Sequence, residues 1–214
     1  MASSEAHPWL ICDNRLEIRD QLLAILAGTT ATGDLSEVRR AWQALPDDLH
    51  EAGLEVVLQT HLFAGYPRTI NALGVIRSEG CSLNTSSDAP PEQWRSDGES
   101  LCAEIYAGSY EPLRKRVASL HVDLDSWMLE VGYGRVLSRP GASPRQRELA
   151  VLAVLGGQDV APQLTSHLRG ALHVGATIDE CAVVVELLEF IWGAAVQEKA
   201  GHVFDVFCEK RSKS

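Results

Sequence analysis

The sequence predicts an all-α protein, and three observations carry that prediction. Apolar residues recur at helical spacing along nearly the whole chain. Capping residues and helix breakers stand at the ends of those stretches. No segment alternates apolar and polar residues with period two over several strands. The first predicted helix covers residues 15–28, with Leu16, Leu22, Leu23, Ile25 and Leu26 on a broad apolar stripe. Gly28 and the Thr/Gly residues after it end that helix. Asp34 is an N-cap for a helix over 35–45, with Glu37 at the third helical position as in a capping box. Pro46, Asp47 and Asp48 break the chain before a longer helix over 50–65, and another follows over 69–77. Residues 78–91, rich in Ser, Asn, Asp and Pro, read as a linker. Helices are then predicted over 92–107, 110–120 and 124–137. The turn Arg139-Pro140-Gly141-Ala142-Ser143-Pro144 delivers the next helix, over 145–155, with Ser143 as N-cap and Pro144 at the first helical position. A helix over 161–174 closes at Gly175. Thr177, with Glu180 three residues on, caps a helix that runs to about Trp192-Gly193, and a last helix covers 196–210.

Two stretches share one layout. RDQLLAILAG, a break, a helix and VVLQTHLFAGYPRTINALG stand in the first half; RQRELAVLAVLGG, a break, HLRGALHVGAT and VVVELLEFIWGAAVQEKAG stand in the second. Aligning Gly65 with Gly193 also aligns Val57 with Val185. A duplicated helical unit buries its apolar faces against its copy. The expected organisation is an N-terminal unit at 1–80, a linker at 81–92 and a C-terminal unit at 93–214.

The composition narrows the function classes. The chain has 214 residues, 45% hydrophobic and 22% charged, an ordinary globular balance. Its formal net charge is −10, and its pI is about 5.1. An acidic surface repels nucleic acid and anionic membranes, so neither is expected as a partner. Residues 1–19 lack a basic start followed by an apolar run, and the longest apolar runs are too short to span a bilayer, so a cytoplasmic location is expected. The five cysteines, Cys12, Cys81, Cys102, Cys181 and Cys208, are odd in number and never spaced as CxxC, which suggests neither a disulfide framework nor a metal site.

The segment 127–175, with its string GYGRVLSRPG followed by REL and then HLRGAL and GAT, resembles the carboxymuconolactone decarboxylase superfamily. The resemblance extends over about 101–207. The first half echoes it in Phe63-Ala64-Gly65-Tyr66-Pro67, whereas the second half lacks the proline at Ile191-Trp192-Gly193-Ala194-Ala195. It implies two fused AhpD-like helical repeats and, since relatives form rings, a homo-oligomer, a trimer or hexamer. The AhpD-like branch uses a Glu, a CxxC and a His; Glu148 and His167 match the first and last, but Val160 and Gln163 occupy the thiol positions. Neither side chain can form a thiolate, so that peroxidase chemistry is rejected. The branch that resembles γ-carboxymuconolactone decarboxylase lacks the thiols and needs no cofactor. It implies decarboxylation of a small anionic lactone or keto acid.

That chemistry needs a proton donor and a group to stabilise charge on the substrate oxygen. His167 and Glu148 are the candidate catalytic residues. A guanidinium binds carboxylate in a bidentate fork, so Arg139, Arg147 and Arg169 are candidates for the substrate, with Gln163 one helical turn before His167 and Glu130 in the segment before Gly132. Plainer roles stay open: a core histidine, an ion pair of Glu148 with Arg147 or Arg169, and solvated arginines. The first half offers only Asp20 or Gln21 near the Glu position and Arg39 near the His position, so one site per chain is expected. The rival readings are a non-catalytic helical oligomeric binding protein and, less favoured, a thiol oxidoreductase using Cys102 and Cys181.

Overall fold

Proline, glycine and capping residues cut the chain into helices close to where the sequence predicts. The computed structural model describes residues 9–83 and 88–213; the expectations for residues 1–8 and for the linker at 84–87 lie outside the described residues. The helices are α1 (Ile18–Thr32), α2 (Leu35–Ala44), α3 (His50–Gln59), the short α4 (His61–Ala64), α5 (Tyr66–Ser78), α6 (Pro91–Tyr106), α7 (Tyr110–Leu120) and α8 (Val122–Trp127). A π-helical segment, Met128–Leu137, continues α8. Then follow α9 (Pro144–Leu155), α10 (Ala161–His173), α11 (Ile178–Trp192) and α12 (Ala194–Arg211). No strand occurs among the described residues, and the protein is all-α as predicted.

The caps explain the agreement. Ser143 and Gln146 form a reciprocal capping box on α9, with Pro144 in its first turn. Thr177 and Glu180 do the same on α11. Asp34 accepts from the amides of Ser36 and Glu37. The return bond of that box is not made; the Glu37 carboxylate accepts from Arg40 at 2.7 Å instead. One predicted helix differs in kind. Within the stretch predicted as a helix over 124–137, the backbone widens after Trp127, and the Ser138 amide donates five residues back to the Tyr133 carbonyl at 2.9 Å.

The main core runs through both halves. Residues 20–31 of α1 are buried on every side, as are residues 147–155 of α9, which marks both as central helices. Leu22, Leu23 and Leu26 share one cluster with Leu149, Leu152, Leu187 and Leu188. Salt bridges reinforce the join: Arg145 of α9 pairs with Asp20 of α1 at 2.6 Å and with Glu180 of α11. Gly65 and Gly193 stand at matching points, each starting a helix with nearly the same backbone, φ +84° and ψ 160° at the first, φ +91° and ψ 160° at the second. Only glycine adopts that conformation without strain.

A second cluster holds Leu101, Ile105 and Tyr106 of α6 against Leu129, Tyr133 and Leu137 of the π-helical segment. The outer wall is α7, none of whose residues is buried, joined to α8 by Arg114 and Asp125 at 2.8 Å. The hydrogen-bonded Arg114 guanidinium holds the Asp125 carboxyl below its ordinary range. A depressed carboxyl stabilises the fold above its unfolded pKa, and that contribution disappears as pH falls through the folded one. Asp125→Asn is therefore expected to cost about 2 kcal/mol in urea unfolding at pH 7, and the gap between variant and parent is expected to close as pH drops below about 4.

Candidate functional site

The capping box at Ser143 fixes the start and rotation of α9, and successive residues there point about 100° apart. Arg147 therefore turns toward α3 while Glu148 turns toward α10. His167 of α10 meets Glu148 with Nδ1 at 2.8 Å from Oε2. Both are buried, at 1% exposure for Glu148 and 6% for His167. A carboxylate oxygen in that position accepts when the Nδ1 tautomer donates to it. Nε2 has no hydrogen-bond partner among the described residues. Gly170, a turn after His167, makes the approach possible: a Cβ there would stand 2.8 Å from Glu148 Oε2 and 2.7 Å from the Ile105 side chain.

His167 borders a cavity of about 410 Å³. Leu62 and Phe63 of α4 form one side, so the first half supplies part of the wall. Leu113, Arg116 and Val117 of α7, Leu124 and Trp127 of α8, and Met128, Gly132 and Tyr133 of the π-helical segment also line it, with Gln163 and Ser166 beside His167. The Phe63 ring meets the imidazole edge-on at 5.6 Å between centroids, and the Tyr106 ring does so at 6.5 Å. The Tyr133 hydroxyl donates to that of Tyr106 at 2.9 Å. Burial pushes both phenols up from their ordinary value, so both keep their protons at neutral pH. Tyr106, Leu113, Arg116 and Ser166 also line an adjoining pocket of about 240 Å³, which Arg169 completes.

The structure thus brings together His167, Glu148 and Gln163, with Arg169 next door, and places three other expected residues elsewhere. Arg147, 2% exposed, is locked to Glu55 at 3.0 Å, to Gln59 at 3.1 Å and to the Arg139 and Pro140 carbonyls. Arg139 pairs with Glu55 at 2.9 Å and Asp88 at 2.6 Å. Expectation is corrected for both: their guanidiniums are spent on a buried carboxylate of α3, and neither lines the His167 cavity. Glu130 points away from the cavity to pair with Arg95 at 3.2 Å. In the first half, Asp20 is tied to Arg145, Gln21 bonds the backbone of Ile11 and Leu16, and Arg39 pairs with Glu79. None of the three forms a counterpart of the Glu148 and His167 pair.

Sequence reasoning missed Tyr106, Tyr133 and Arg116, which share the cavity with His167. Tyr133 lies inside the GYGRV string, which is the signal that points to it. The positions of the absent thiols are also placed: Val160 caps α10 and Gln163 lies exposed in its first turn. Cys102 and Cys181 are buried, in separate clusters, and burial pushes each thiol up to about 12, opposite to what a reactive thiolate needs. Among the described residues no group of three or more His, Cys, Asp or Glu is arranged to hold a metal ion. None of the described helices is long and apolar enough to cross a membrane.

Residues 123–204 match the model of the carboxymuconolactone decarboxylase family. The chain is also similar to Peroxisomal protein 2 of Schizosaccharomyces pombe (strain 972 / ATCC 24843), with 31% identity over 136 residues. That alignment covers 59% of this chain and 62% of the relative's length. The matched segment holds the π-helical wall, α9, α10 and α11, and so both members of the buried pair. As its motifs implied, the segment that carries Glu148 and His167 is the one similar to the carboxymuconolactone decarboxylase family.

Proposed function

We propose that this protein is a cofactor-independent decarboxylase of an anionic lactone or keto acid, with His167 as proton donor and Glu148 as its positioning partner. The observation that carries the reading is the buried Glu148 and His167 pair at the edge of a cavity able to enclose a small molecule. In the proposed reaction the bond from the substrate carbon to its carboxylate breaks and CO₂ leaves. The electron pair moves into the conjugated carbonyl of the substrate, which serves as its own electron sink. Charge collects on that oxygen, for which the Tyr106 hydroxyl, itself accepting from Tyr133, is a neutral donor in the lining. The protonated His167 then gives its Nε2 proton to the carbon, and solvent restores it. The apolar wall of Leu62, Phe63 and Met128 favours a neutral product over the departing carboxylate.

The test is CO₂ release from a panel of lactone carboxylates and β-keto acids. At least one member is expected to turn over, and His167→Gln is expected to lower kcat by about 10²- to 10⁴-fold. Release from none of them, or equal release by His167→Gln, contradicts the proposal. The mainly apolar lining favours a second reading, a non-catalytic binding protein of the same fold; saturable binding without turnover would select it. The fused-repeat organisation, the homo-oligomeric assembly and the cytoplasmic location belong to the same proposal. Exposed Leu120 at the end of α7 and Val122 and Trp127 on α8 support self-association. The name of the S. pombe relative refers to the peroxisome, so location is to be tested by imaging the tagged chain.

A further inference from the structure

We infer that the ligand of the His167 cavity is an amphipathic acid: its apolar body fills the cavity, and a carboxylate other than the reacting group is held by Arg116 and Arg169. The inference rests on reading this cavity as the ligand site, and it replaces a small, wholly polar substrate with a larger, mostly apolar one. Three observations lead there. First, much of the wall that His167 shares is apolar, with Leu113 and Val117 a turn apart on α7, Leu124 and Trp127 on α8, and Met128 on the π-helical segment. A compact dicarboxylate would lose hydration against that wall and gain no partner there. Second, the cavity of about 410 Å³ does not end at His167; it meets the pocket of about 240 Å³ across Tyr106, Leu113, Arg116 and Ser166. Polar and cationic groups gather at that junction, so the combined space has an apolar end and a basic end.

Third, among the described residues the two arginines at the basic end lack counter-ions. Arg114, two residues before Arg116 on the same helix, is paired with Asp125, and Arg145 and Arg147 of α9 are paired with Asp20, Glu180 and Glu55. Among the described residues neither Arg116 nor Arg169 has an ion-pair partner. In a chain of net charge −10, two unpaired guanidiniums lining one small pocket form a local site for an anion. Chemistry decides which anion. A guanidinium on the departing carboxylate would stabilise a charge that the transition state is losing, and so would slow the reaction. The arginines therefore suit a carboxylate that stays intact, while the reacting carbon lies beside His167.

Titration calorimetry with octanoate, octanamide and succinate tests this without requiring turnover. Octanoate is expected to bind saturably, while octanamide, with the same body and no charge, and succinate, with charge and little apolar body, are each expected to bind at least about tenfold more weakly. Arg116→Gln is exposed and breaks no ion pair, and with Arg169→Gln it is expected to weaken octanoate by about tenfold or more while leaving octanamide unchanged. Failure of octanoate to saturate, equal binding of octanamide or succinate, or indifference to the arginine substitutions overturns the inference. Absence of CO₂ release with the binding pattern intact would remove the decarboxylase reading and leave this one standing. Release from a small polar acid, with no octanoate binding, would do the reverse.

Discussion

Replacing Glu55 with glutamine is expected to destabilise the protein by about 3–5 kcal/mol, measured by urea unfolding at neutral pH. Glu55 is buried and accepts from Arg139 at 2.9, 3.0 and 3.2 Å and from Arg147 at 3.0 Å. Burial already pushes the Arg147 guanidinium down from its ordinary value, with Glu55 opposing that shift. The amide keeps the shape of the carboxylate and removes its charge, leaving Arg147 buried with only neutral acceptors. Removing one partner of a buried pair strands the other, which is why the loss exceeds that of a surface pair. Arg15→Ala, which breaks the half-exposed pair with Glu186, is the control and is expected to change stability by less than about 1 kcal/mol. Similar values for the two variants would show that Glu55 does not hold α3 to α9.

The second large effect is expected at Gly134, where substitution by alanine is predicted to cost at least about 3 kcal/mol. A Cβ at Gly134 would lie 1.8 Å from the Trp94 carbonyl oxygen, and one at Gly98 would lie 1.9 Å from that of Leu129. Both obstacles are backbone, so no rotamer change relieves them, and α6 must move off the π-helical segment. Tyr106 and Tyr133 stand on those two elements, so the 2.9 Å bond between them is expected to break with the shift. The paired readout is thermal unfolding together with near-ultraviolet circular dichroism of the aromatic residues. By contrast, a Cβ at Gly74 on α5 meets nothing within 4 Å, and Gly74→Ala is expected to be neutral or slightly stabilising. A tolerated Gly134→Ala would mean that the two elements do not approach as closely as described.

Those two sites also mark where sequence reasoning succeeds and where it stops. Caps are local, so Ser143, Thr177 and the glycines before α5 and α12 locate helix ends from a few neighbouring residues. The sequence predicts an ordinary helix over the π-helical segment because ten residues are too few to separate the two periods. Glu148 and His167 are legible because helical spacing and the family motif place them a short chain distance apart. The arginines were not. Arg139 and Arg147 find Glu55 at separations of 84 and 92 residues, and nothing local to a guanidinium names the carboxylate it will meet. Tyr106 and Arg116 join the site only through the packing of α6 on α10 and of α7 on α6 and α8, which no spacing in the sequence encodes.

The tautomer of His167 tests the central claim most directly. Long-range proton–nitrogen correlation spectra of the labelled protein separate the two ring nitrogens, and the signals lost in His167→Gln assign the residue. With the ring neutral, the account predicts a proton on Nδ1, donated to Glu148, and a bare Nε2 that responds when an acid enters the cavity. A proton on Nε2 with Nδ1 bare, or an Nε2 signal that no ligand moves, would contradict it.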